Sequence, residues 1–191
     1  KEKLLGKEVG IYINPTLRTG RIDRLGNIYA HVIAEDGTWI QENLVSRGLS
    51  WVFGGADNRD LLAPLYKREE IARKLQYGFW QNPDYAIKSN VTIENKFGSF
   101  QVYEGIIKDI KTKDDYTYLN FGKDPLTDFT LIVKKGEMEI SCYPTSYKGI
   151  ATEDLIGRQI RVRGWIEKNS GPMIRLTHPE QIEFLPPNTC S

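Results

Sequence analysis

The sequence predicts an α+β protein built from two β-rich parts, the first carrying two helices and the second all-β. Strand-like runs open the chain at residues 8–13 and 27–34. Two apolar stripes of helical period follow, and from residue 100 onward short alternating runs recur between turn signals. A length of 191 residues holds one large domain or two small ones.

Glu8 to Ile13, EVGIYI, reads as a strand that Asn14-Pro15 breaks. A polar, basic loop leads into Asn27–Ala34, where Ile28, Ala30, Val32 and Ala34 alternate onto one face. Asp36-Gly37 marks a turn, and Thr38 with Gln41 has the spacing of a capping box that starts a helix. Ile40, Leu44 and Val45 form its apolar stripe and Gly48 its left-handed stop. Leu65, Ala72, Leu75 and Phe79 then give a second amphipathic helix, with Pro64 in its first turn and Trp80 packing back on the core. Asn82 to Gly98 lacks a period and reads as a linker, so the expected domains are residues 1–88 and 96–187.

Beyond the linker lie FQVYEGIIKDI, TYLNFG, DFTLIV, RQIRVRGWI and PMIRLTHPEQIEFL, with a short helical stretch near Thr152 to Ile156. Five such strands suit a small closed barrel of the OB type, in which closure removes exposed edges. The final PPNTCS reads as a tail.

Composition excludes several classes. With 26 basic and 25 acidic side chains the net charge is +1, so whole-chain electrostatics points to neither nucleic acid nor an anionic membrane. Cys142, Cys190, His31 and His178 are too few and too scattered for a zinc site or disulfide framework. No run reaches the roughly 18 apolar residues of a membrane span, and KEKLLGKEVG lacks a signal peptide's apolar centre. The chain begins at Lys1 rather than Met, which fits a processed or excised product, cytoplasmic or exported. Walker, GxSxG and HExxH patterns do not occur.

The order of the first half is strand, basic turn, strand, DGTWIQENLVSRGL helix, loop, and a helix closing in GFW. In this order it resembles the C-terminal half of the thermonuclease (staphylococcal nuclease-like) family. The matching residues are Asp23, Arg24, Gly26, Ala30, Asp36, Gly37, Glu42, Leu44, Val45, Gly48, Leu49, Gly78 and Trp80, within about residues 4 to 85. The second half resembles an additional OB-like domain found in some bacterial members. The resemblance implies a partial nuclease-like OB barrel with two helices, followed by a second small all-β OB-like barrel.

In that family a calcium ion on acidic residues, a glutamate base and two arginines hydrolyse phosphodiesters. The resemblance places the acidic residues and one arginine upstream of the matched part, so this chain implies no cofactor of its own, and calcium only with an upstream metal site. The second arginine belongs at Asn27, and the turn's aromatic at Leu25. Asparagine offers neither the charge nor the fork of a guanidinium. Losing one transition-state donor costs about a hundredfold or more in rate. Arg18, Arg21 and Arg24 are candidate phosphate contacts in the same loop; the alternative is a solvated basic loop.

In the second half Ile160, Val162, Gly164 and Ile166 alternate with Arg161, Arg163 and Trp165, which sets the first group inside and the second outside. Arg175 on the next run, and Tyr116, Tyr118 and Asn120 opposite Leu119 and Phe121, extend the outer face. Exposed aromatics among basic residues stack bases and track phosphates; the alternative is a merely charged exterior with Trp165 covered. Asp124 and Asp128 read as turn and capping residues, and His31 and His178 as surface or packing residues.

The leading expectation is a nucleic-acid-binding, thermonuclease-like protein that is degenerate as a nuclease. One rival is a calcium-dependent phosphodiesterase with its metal ligands upstream. Another is a non-enzymatic scaffold. Two strands with two helices bury too little to stand alone. An upstream segment, another chain or the second domain is therefore expected to complete the core.

Overall fold

The computed structural model describes residues 4–13, 22, 25–55, 58–89, 96–124, 126–134 and 155–185. The chain divides into two compact units, Lys1–Tyr85 and Ala86–Ser191.

In the first unit β1 (Val9–Tyr12) pairs antiparallel with β2 (His31–Ala34), Val9 opposite Ala34 and Tyr12 opposite His31. The Asp36-Gly37 turn forms as expected: Gly37 N–H donates to Ala34 O at 2.9 Å and Thr38 N–H to Asp36 Oδ1 at 3.0 Å. Helix α1 follows at Ile40–Ser46, but the expected capping box does not form and no side chain caps Trp39. Gln41 instead reaches back to the strand side: its Oε1 accepts Val32 N–H and its Nε2 donates to Ala30 O, both at 3.0 Å. Those main-chain groups have no ladder partner on that edge, and an amide side chain satisfies a donor and an acceptor together.

Helix α2, Leu62–Lys74, has Pro64 in its first turn and buries Leu62, Leu65, Tyr66, Glu69 and Ala72. The expected stripe is correct at Leu65 and Ala72 and wrong at Leu75, which lies beyond the helix end and is exposed. Glu42 on α1 pairs with Arg68 on α2 at 2.6 Å. The chain then enters a 3-10 turn, Gly78–Gln81, where Trp80 is buried as expected.

Gly48 and Gly78 make this return possible. Both have left-handed φ, +62° and +55°. A Cβ on Gly48 would collide with the Tyr77 carbonyl, and one on Gly78 with the Gly48 carbonyl. Phe79 N–H donates to Gly48 O at 2.9 Å, so the end of α1 and the start of the 3-10 turn touch backbone to backbone.

The expected linker is partly structured. Pro83–Tyr85 is a 3-10 turn, and Lys88 is buried in the second unit, where it exchanges hydrogen bonds with Val102 and Glu104. Among the described residues eight strands follow. β3 (Phe100–Ile106), β7 (Gln159–Trp165) and β10 (Ile182–Phe184) form a three-stranded antiparallel sheet in the order β10-β7-β3. β4 (Asp109–Lys113), β5 (Tyr116–Asn120), β6 (Thr130–Lys134), β8 (Glu167–Asn169) and β9 (Gly171–Arg175) form a second sheet in the order β4-β5-β6-β9-β8. Its β6 and β9 are parallel.

The class is α+β as expected, with OB-like, barrel-like sheets, but the described strands do not make one closed barrel. Two of the runs expected as single strands bend. Ile107 and Lys108 separate β3 from β4, and Ile166 separates β7 from β8. Each bent run therefore serves both sheets, and the two sheets enclose one core. Ile110, Leu119, Leu131 and Ile174 stand opposite one another across β4, β5, β6 and β9, and Ile160, Val162 and Ile182 join them from the other sheet. The Thr152–Ile156 stretch is described only from Leu155, which is buried in this core, and the PPNTCS tail lies outside the described residues.

Candidate nucleic-acid interface

The basic turn of the first unit closes as a hairpin, with Ile22 bridged to Ile28. Gly26, at φ +84°, makes the reversal without a Cβ penalty. Leu25, Gly26 and Asn27 are exposed at its tip, Leu25 at 78%. Arg18, Arg21, Asp23 and Arg24 lie outside the described residues.

Behind the hairpin is a cleft of about 360 Å³ lined by Tyr12, Tyr29, His31, Trp51, Phe53 and Asp60, among others. His31 is not an isolated surface residue: Trp39 Nε1–H donates to its Nδ1 at 3.2 Å. Tyr12 donates to Asp60 Oδ2 at 3.3 Å across the cleft. Val9, Ile11, Ile22 and Ile28 are exposed.

The second unit separates the basic residues that the sequence groups together. Arg163 does not lie on a free outer face. It is 1% exposed and pairs with Glu183 of β10. Arg161 contacts Glu104 of β3 at 2.6 Å and Glu183 at 3.3 Å. The reason is the sheet itself: antiparallel register sets Arg161 opposite both Glu104 and Glu183. Two arginines already held by carboxylates are poor phosphate ligands, because a phosphate would have to displace those ion pairs. Trp165, at the end of β7, is 55% exposed and packs edge-on against Phe100 at 6.2 Å.

Tyr116, Tyr118 and Arg175 lie together on the five-stranded sheet instead. The Arg175 guanidinium lies 5.7 Å from the Tyr116 ring centroid and 3.8 Å from Glu167. Sequence reasoning missed their neighbours on β4, Lys111 opposite Tyr118 and Lys113 opposite Tyr116. The spacing of two between those lysines was the available signal, and it acquires meaning only from the hairpin register.

Asp124 and Asp128 hold a turn: Asp128 Oδ2 accepts Asp124 N–H at 2.8 Å, and Asp124 Oδ1 accepts Leu126 N–H at 2.9 Å. His178 is buried with Nδ1 at 3.1 Å from Glu180 Oε2. Beside it Gln181 Oε1 accepts Thr177 N–H at 2.7 Å. Among the described residues no group of three His, Cys, Asp or Glu side chains is placed to hold a metal ion. Among the described residues no helix is long and apolar enough to cross a membrane.

The first unit thus combines a hairpin, two helices and a 3-10 return, and the second two sheets built on bent strands. Residues 1–82 match the family model described as "Staphylococcal nuclease homologue", so this part of the chain is similar to that family. No curated protein matches the chain. Among solved structures, the chain is similar to an aspartyl tRNA synthetase from Entamoeba histolytica, at 12% identity and a TM-score of 0.33. That likeness covers 55% of this chain and 22% of the synthetase. The p204 HINb domain is similar at 9% identity and a TM-score of 0.35, over 83% of this chain and 71% of that one. Likenesses at these scores carry no argument about function.

Proposed function

We propose that this protein binds nucleic acid and is a poor or inactive nuclease. The observation that supports this best is Asn27, exposed beside Gly26 at the tip of the hairpin, where the family resemblance calls for a catalytic arginine. A neutral amide there hydrogen-bonds a phosphate without neutralising the charge that develops as the bond breaks. Leu25 in place of the turn's aromatic removes a stacking surface from the same tip. Single-stranded DNA or RNA incubated with the chain and calcium should remain intact, while its binding weakens steeply from low to high salt. Calcium-dependent hydrolysis abolished by Arg24→Ala would overturn this reading, as would an affinity that is flat with salt.

A second reading is favoured by the exposed apolar side chains Val9, Ile11, Ile22 and Ile28 of the first unit. In it, further chain or another protein covers these side chains and supplies the acidic residues of a calcium-dependent phosphodiesterase. Sequencing the intact natural product tests it: an upstream strand with clustered aspartates and an arginine supports it, and a natural start near Lys1 removes it. A scaffold role predicts stable association with another chain, read by light scattering.

A further inference from the structure

We infer that the second unit holds a single-stranded nucleic acid in a groove across the outer face of its five-stranded sheet, centred on Tyr118. This inference rests on the nucleic-acid reading above and moves the contact away from Arg161 and Arg163. Cross-strand register builds the face. Lys111, Tyr118, Ile132 and Arg175 stand opposite one another across β4, β5, β6 and β9, and Lys113, Tyr116 and Lys134 form the adjacent row. The second row therefore reads basic, aromatic, basic, and the first sets a buried Ile132 between Tyr118 and Arg175, while the opposite side of the sheet carries the apolar core.

Two cavities flank the central row. One, of about 740 Å³, is lined by Lys108, Lys111, Lys113 and Lys123 around Tyr118. The other, of about 160 Å³, lies toward Asn169 and Met173. Both are lined by Tyr118, Asn120 and Thr130, so these three side chains form the ridge between two halves of one groove. Thr130 Oγ1 donates to Asn120 Oδ1 at 3.1 Å, which leaves the Asn120 amide hydrogens for a ligand.

The acidic residues of the larger cavity are engaged locally. Asp124 and Asp128 accept the turn's main-chain N–H groups, and Asp109 pairs with Lys111 at 3.4 Å in an exposed contact that a phosphate can replace. Among the described residues, no ion pair ties Lys108, Lys113 or Lys123. Five strands spaced at about 4.8 Å give a face about 20 Å across. That suits a short single strand of about four or more nucleotides, with a base stacked on Tyr118 and phosphates on the lysines. Paired bases do not present free faces for such stacking.

Titration of the full chain with a fluorescent single-stranded oligonucleotide at low salt tests this. Lys111→Glu/Lys113→Glu should weaken binding at least tenfold, and Tyr118→Ala by about tenfold. Lys67→Glu/Lys74→Glu, an equal charge change on α2, should leave it within twofold. A bromouracil-substituted oligonucleotide should crosslink to β5 of the unmodified chain, a readout that needs no variant to fold. If the unmodified chain does not bind, the nucleic-acid reading and the groove both fall. If it binds but the β4 variant matches it and the crosslink maps elsewhere, the reading stands and the groove is overturned. Heparin binding as tight as the oligonucleotide's, with Tyr118→Ala without effect on either, assigns the face to acidic polymers and also overturns it.

Discussion

Glu69 is a fully buried carboxylate on α2. Its Oε1 accepts Val52 N–H at 2.7 Å and its Oε2 lies 3.8 Å from Arg73 Nη1, whose guanidinium sits 5.7 Å from the Trp80 ring centroid. One side chain thus ties the loop after α1, helix α2 and the 3-10 return. Truncation strands both a buried donor and a buried charge, so Glu69→Ala should cost about 3 kcal/mol, while Glu69→Gln, which keeps the Val52 bond, should cost clearly less. Urea denaturation followed by tryptophan fluorescence measures both; equal losses would show that the hydrogen bond is not what matters. This residue was illegible in the sequence because a glutamate one turn after Leu65 reads as solvated, and its partner is a main-chain group 17 positions away. Arg163 was misread for the same reason: its period of two is right, but Glu183 covers it only once β10 joins the sheet.

Elements followed local rules where the deciding atoms were local. The Asp36-Gly37 turn, the stop at Gly48, Pro64 in a first turn and the buried alternation Ile160, Val162, Gly164 and Ile166 are all set within a few residues, and each was readable. The failures were set by distant partners: Gln41 left its own helix for β2, and the runs through Ile107 and Ile166 bent to serve two sheets. Period alone does not register such a bend, since alternation continues through it. The Gly48–Gly78 contact gives this scale its test. Gly37→Ala, at φ +80° with nothing within 4 Å of the new Cβ, should lose only the left-handed term, about 1 kcal/mol. Gly78→Ala adds a collision with backbone and should lose clearly more, about 3 kcal/mol or above. Similar losses in thermal unfolding would mean that the two segments separate readily.

At the scale of the molecule the two units draw on different physics. The second encloses its core between two sheets, with the rings of Tyr103, Phe121 and Phe129 packed together inside it. The first leaves Val9, Ile11, Ile22 and Ile28 exposed. The second unit also carries a titratable group inside its core: burial, and then the charge of Asp128, raise the Tyr103 hydroxyl above its ordinary range. The native state therefore keeps the Tyr103 proton where an unfolded chain releases it, at about pH 10. Below that value the contribution is fully present; as pH climbs above it the unfolded state gains by ionising and stability falls. Hydrogen exchange read by mass spectrometry on the full chain should show the protection of β3, β5 and β7 falling together above about pH 10. Tyr103→Phe should remove part of that fall at some cost in stability at neutral pH, and leave exchange in α1 and α2 unchanged. A variant whose α1 and α2 lose protection in step with β3 would show that the two units unfold as one, and the separate cores would then not act as separate cooperative units.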